Sequence, residues 1–276
     1  MANDQETREA ISKDLDRTRE YAKGLTTGDL AQGGWLEKYL GSTLQAHAAA
    51  ASAAYFAAEY PGLAPQEAAA VRIMDAKRKA SVAGWLAPSV DPGSISSVLS
   101  EGPATAAKPI PGHVVPFAAD LLYMTRLELE LAHDISVLYA RPFKLDDPFS
   151  VADLVKLAFG AKAGKAHVMG ALEVMPALAS KGMDRSVKGA GEALQKGLPF
   201  VGKLLVKRNL VKFSVPHVKI SLGAALDYYY VGSVAAAANS VLLDWGAFGD
   251  NALPIDTASA SNPRVLVDAM WVVMRA

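Results

Sequence analysis

The chain has 276 residues, about half of them apolar and a fifth charged, with equal numbers of acidic and basic side chains. That is enough to bury a sizeable core, and it excludes a disordered chain. There is no cysteine, which excludes disulfides, thiolate chemistry and the usual structural zinc sites, and fits a cytoplasmic protein.

Residues 4–23 scatter Ile11, Leu15 and Tyr21 among many charges. This predicts an exposed, partly amphipathic helix within 1–30, unlike a signal or transit peptide. Gly33-Gly34 breaks the chain. Alanine is the best helix former, so the run from Trp35 to Tyr60 predicts one long helix ended by Pro61-Gly62. Pro65 opens a further helix to about Trp85. Residues 87–115 hold five prolines and predict a long Pro/Gly/Ser-rich loop with one short helical turn. An apolar helix follows from Pro116 to about Tyr139. "KLDDPFSVADLVKLAFG" reads as an Asp cap, a first-turn proline and a helix. Residues 160–200 predict two or three short helices, and Gly197 to Lys212 a basic amphipathic segment. Pro216 opens a second apolar helix over 218–243. A polar loop (246–262) and a short terminal helix close the chain.

No stretch alternates apolar and polar residues as a solvent-facing strand does. The fold class is therefore all-α: a single multi-helix bundle over 1–276. The longest uncharged stretches, 40–58 and 228–243, read as buried helices, because a spanning helix needs about 20 mostly apolar residues.

Charge is segregated along the chain. The net is about −5 over 91–155 and about +9 over 156–219. Lys196, Lys203, Lys207, Arg208 and Lys212 are the candidate lipid- or anion-binding residues, each worth about 1 kcal/mol near an anionic membrane. The alternative is that these cations pair with the acidic half of the same chain.

Motifs of known chemistry are absent. "FGAKAGKAH" has too short a glycine spacing for a phosphate loop and lacks its Ser or Thr, and no G-x-S-x-G elbow occurs. None of the five histidines forms an H-E-x-x-H pair, so no metal site and no cofactor is expected. In the 116–139 helix, Leu121, Met124, Leu131, Ile135 and Leu138 make one apolar face, and Glu128 falls on it. Arg126, Glu130 and Asp134 make a charged stripe, with Arg126–Glu130 a surface pair. Asp120 reads as a helix-start acid. Glu128 needs a partner from elsewhere, because a lone buried carboxylate is costly. Asp227 likewise interrupts the apolar stripe of the second proline-led helix. If these helices pack side by side, their carboxylates meet. Asp120, Glu128, Asp227 and His217 are therefore the candidate catalytic residues.

"GHVVPFAADLLYMTRLELELAHDISVLYA" and "KFSVPHVKISLGAALDYYYVGSVAAAA" resemble the EcsC family of bacterial proteins, over roughly residues 75–245. Asp120 and Asp227 map onto recognisable family positions. Asp227 stands where the family usually has Asn, and Ala140 where it often has Gly. The resemblance implies a helical, hydrophobic, bacterial protein with no established activity, so no catalytic residue carries over from it.

The leading expectation is a non-catalytic peripheral membrane or lipid-binding protein on the inner face of the membrane. Its partner would be anionic membrane lipid or a hydrophobic ligand. The alternatives are a hydrolase using the clustered carboxylates and a histidine, and a homo-oligomeric interaction protein with the alanine-rich helix as its seam. Nucleic-acid binding is not expected, since the basic block has few aromatics and no known module.

Overall fold

The computed structural model describes residues 4–87, 90–100, 105–159, 187–213 and 219–244. Within them the regular structure is helical, apart from a single bridge pair, Thr26 with Pro109. The all-α expectation therefore holds for the described residues. None of their helices is long and apolar enough to cross a membrane. Residues 160–186, His217, the 246–262 loop and the terminal helix lie outside them.

Helix α1 (Asp4–Lys23) is less exposed than its charges suggest. Ile11, Leu15, Thr18 and Ala22 follow 4- and 3-residue steps and are all buried. The outer face carries Arg17–Asp14, Arg19–Asp16 and Lys23–Glu20 pairs. Helix α2 (Thr27–Gln32) begins with a capping box between Thr26 and Asp29 and ends at Gly33, whose φ of 79° suits glycine.

The alanine-rich run is not one helix. It divides into α3 (Trp35–Tyr39), a π-helical turn (Leu40–Leu44), α4 (Gln45–Ala50) and α5 (Ala53–Glu59). Ala51 leaves helical geometry at ψ 61°, and Ser52 caps α5 by accepting from the Tyr55 N–H at 3.2 Å. Ser52 competes for the backbone at a point where alanine propensity alone would carry the helix through. Helix α6 (Pro65–Leu86) follows the expected bounds.

Within the predicted 87–115 loop, the described residues 90–100 and 105–115 include a helix and a paired stretch. Helix α7 (Pro92–Ser100) is capped by Asp91, which accepts from the Ser94 N–H at 2.7 Å, and it buries Ile95 and Val98. Residues 105–110 then pair with the start of α2. Thr27 N–H donates to the Lys108 carbonyl and Gly28 N–H to that of Ala106, both at 2.9 Å, and Ile110 N–H to Leu25 at 3.1 Å.

Helix α8 (Val115–Leu138) is the centre of the molecule, packed by α1, α6, α9 (Pro148–Phe159) and α11 (Lys219–Asp244). A helix surrounded this way is buried on every side, and Arg126 and Leu138 are among its few residues that are not. Of the stripe Arg126–Glu130–Asp134, Glu130 and Asp134 are therefore internal, and Arg126 alone stays partly exposed. Asp147 caps α9, accepting from the Ser150 N–H at 3.3 Å. Helix α10 (Val187–Phe213) runs unbroken through Pro199, where separate short elements were expected. Helices α6 and α11 lie along each other on small residues. A Cβ at Gly84 would meet the Ala224 backbone at 2.5 Å and Asp227 Oδ2 at 2.8 Å.

Candidate functional site

Two groups of buried charge lie along α8. The first involves its N-terminal half. Lys212 Nζ, from α10, donates to Asp120 Oδ1 at 2.7 Å and Oδ2 at 2.9 Å, and to Asp227 Oδ2 of α11 at 2.5 Å. All three side chains are 3% exposed or less. Asp120 is thus a core ion-pair partner in the second turn of α8, not the helix-start acid its position suggested. The group holds two carboxylates and one ammonium. Burial pushes Asp227 up to about 7; Lys212 works against this and the neighbouring Asp120 adds to it. Burial pulls Lys212 down, but the two aspartates outweigh it and hold its ammonium above the ordinary lysine value.

Glu128 finds its partner on α10 as well. Arg208 Nη1 donates to Glu128 Oε2 at 3.0 Å, and its guanidinium stacks 4.6 Å from the Tyr230 ring centre. Glu128 is eight residues beyond Asp120, roughly 12 Å along the helix axis. Asp120 and Asp227 therefore meet, while Glu128 stands apart, and each is held by a cation. His217, the fourth catalytic candidate, lies outside the described residues.

These pairings divide the basic segment. Lys212 is 3% exposed and cannot reach a headgroup, which corrects its place among the lipid-binding candidates. Arg208 is turned inward onto Glu128, its side chain 14% exposed. Lys203 and Lys207 are exposed. The side chain of Lys196 lies outside the described residues.

The second group surrounds the C-terminal half of α8. His47 of α4 places Nε2 2.6 Å from Asp134 Oδ1 and Nδ1 3.5 Å from Glu130 Oε1. Arg72 of α6 donates from Nε to Asp134 Oδ2 at 2.7 Å, and Arg126 from Nε to Glu130 Oε1 at 2.6 Å. Burial tends to raise Asp134, but His133, His47 and the Arg72 charge outweigh it and hold the carboxyl well below its usual range. His133 is 3% exposed, and its Nδ1 has no hydrogen-bond partner, lying 3.7 Å from Asp134 Oδ1. His133 also lines an open cleft of about 650 Å³ with Ala48, Ala51, Ser52, Val137 and Phe143. The break between α4 and α5 forms one wall of that cleft.

No histidine taken singly reveals this second group. His133-Asp134 is adjacent in sequence, but neighbours on a helix do not face each other, and His47 is 87 residues away. The one local signal is Ser52, a strong N-cap residue inside the alanine run. No family model matches the chain, and it has no match among curated proteins or solved structures.

Proposed function

We propose that the chain docks reversibly on anionic lipid surfaces through the outer face of α10. The observation that carries this reading is the spacing of Phe200, Lys203 and Lys207. They fall at 3- and 4-residue steps and are exposed, whereas Val201, Leu205 and Val206 are buried. An aromatic ring one turn before two ammonium groups can enter the headgroup boundary while the cations meet phosphates. Two lysines contribute about 2 kcal/mol at such a surface, so binding is weak and lost at high salt. Arg208 and Lys212 take no part, because the carboxylates of α8 and α11 hold them. The EcsC-like reading belongs to the same proposal and adds no activity to it.

Co-sedimentation with phosphatidylserine-containing and neutral vesicles tests the idea. Pelleting with anionic vesicles at low salt is expected, and the double variant Lys203→Glu/Lys207→Glu should abolish it. Failure to pellet with either vesicle at low salt overturns the proposal, as does full binding by the double variant.

An enzymatic reading has one observation in its favour, and it is not the one the carboxylates suggested. Asp120 and Asp227 share the ammonium of Lys212, and Glu128 is held by Arg208. His47, His133 and Asp134, beside the cleft, are the residues such a reading would use.

A further inference from the structure

We propose that His47, His133 and Asp134 form a binding site for a divalent transition metal, with zinc the best fit. Among the described residues these three can each offer one ligand atom, and the atoms all lie within 4.8 Å of one another. Two imidazoles and a carboxylate suit zinc, with bonds of about 2.0–2.2 Å. Such bonds set tetrahedral ligand atoms roughly 3.3 Å apart. The observed separations bracket that value: 2.6 Å from His47 Nε2 to Asp134 Oδ1, and 3.7 Å from His133 Nδ1 to the same oxygen.

Three further features point to a ligand rather than to a closed ion pair. The first is His133 Nδ1. Asp134, His47 and Arg72 satisfy one another, yet this buried nitrogen makes no hydrogen bond. Leaving a buried polar atom unmet is unfavourable, and a metal would meet it. The second is the outer layer of partners. A metal-bound histidine usually gives its other ring N–H to a carboxylate. Glu130 stands 3.5 Å from His47 Nδ1 and is itself fixed by Arg126. Arg72 holds the far oxygen of Asp134 and leaves Oδ1 to face the histidines. The third is access. His133 lines the cleft, so a fourth coordination position can open to water or to a small ligand, the arrangement of a catalytic rather than a structural zinc site.

Binding replaces a proton with the metal. His47 Nε2 must carry hydrogen to bond an ionised Asp134. As the ion enters, the hydrogen of the neutral imidazole moves from Nε2 to Nδ1, where it faces Glu130, and the 2.6 Å contact opens to ligand spacing. The π-turn Leu40–Leu44 directly precedes α4, which carries His47, and such turns recur at functional sites.

The test uses the full-length, untagged, chelator-stripped chain, titrated with zinc chloride against a chromophoric competitor. One equivalent should bind. His133→Ala and His47→Gln should each weaken binding by about 100-fold or more, whereas His113→Ala, at an exposed histidine, should leave it unchanged. Cobalt should give the intense visible absorption of a tetrahedral site in the wild type and not in His47→Gln. Circular dichroism checks that each variant is folded. If His133→Ala does not fold, His47→Gln and the cobalt spectrum decide. Absence of stoichiometric binding, or unchanged affinity in His47→Gln, overturns the site. So does loss of binding in His113→Ala.

Discussion

The ammonium of Lys212 lies 2.5 Å from Oδ2 of Asp227, which is 15 residues further along the chain and on the next helix. The same ammonium holds both oxygens of Asp120 on α8. One buried cation thus joins three helices, and its removal strands two carboxylates in the core. Lys212→Met should cost about 3–5 kcal/mol of unfolding free energy, the range for breaking a buried pair. Adding Asp120→Asn and Asp227→Asn to that variant should restore much of the loss, because no uncompensated charge remains. Urea denaturation of the single and triple variants checks this. A single variant as stable as the wild type would contradict it.

Asp227 gives the molecule a pH dependence with a definite sign. Its carboxyl titrates near 7 in the fold, against 3.8 as the ordinary value. Between those values the folded chain holds the proton more tightly than the unfolded chain does. The contribution is full below about 4 and is lost as pH rises to about 7, at on the order of 1 kcal/mol per pH unit. Asp134 acts in a different window: its carboxyl is held low, so its contribution is present above the ordinary carboxylate range and fades in acid. Urea midpoints at pH 5, 6 and 7 should therefore fall more steeply with pH in the wild type than in Asp227→Asn.

Gly84 is the contact point of α6 and α11. A methyl group there would enter the Ala224 backbone and press on Asp227. Because a backbone cannot swing aside as a side chain can, Gly84→Ala should destabilise by about 1–3 kcal/mol despite the better helix propensity of alanine. Thermal unfolding measures it. An increase in Tm would show that the two helices can separate slightly at little cost.

Ala140 closes α8 in the left-handed region, at φ 56°. Arg141 N–H returns to the Ser136 carbonyl at 2.7 Å and Ala140 N–H to that of Val137 at 2.9 Å, the pattern of a helix stop that glycine serves best. A left-handed non-glycine residue costs about 1–2 kcal/mol. Ala140→Gly should thus stabilise by about 1 kcal/mol after the extra freedom of the unfolded glycine is offset. A higher urea midpoint with an unchanged slope is the expected readout.

Local chemistry was legible in the sequence. Pro65, Asp147-Pro148 and the Pro116 helix mark elements whose starts depend on a few neighbouring residues. The placement of Glu128 on a buried face followed from spacing alone, and so did its need for a distant partner. The identity of that partner did not, because Arg208 is 80 residues away and its direction depends on how α10 packs. Alanine propensity concealed the break at Ala51–Ser52, and with it the cleft beside His133. The spacing of charges in the 116–139 helix predicts a partly solvent-facing stripe, since a two-sided pattern cannot reveal that four other helices surround it. His47 carries no periodic signal and acquires its meaning only across the gap to α8.

The partners of α8 also differ in when they are made. His47 and Arg72, which serve its C-terminal half, precede it in the chain, whereas Arg208, Lys212 and Asp227 follow it by many residues. During synthesis the end of α8 near Asp134 therefore meets its counter-charges as it emerges. The end near Asp120 must wait for α10 and α11. A chain stopped after α9 would lack both Lys212 and Arg208, the cations that reach Asp120 and Glu128 from α10. The two ends of α8 thus draw their counter-charges from opposite sides of it in the chain, one from helices already made and the other from helices still to come.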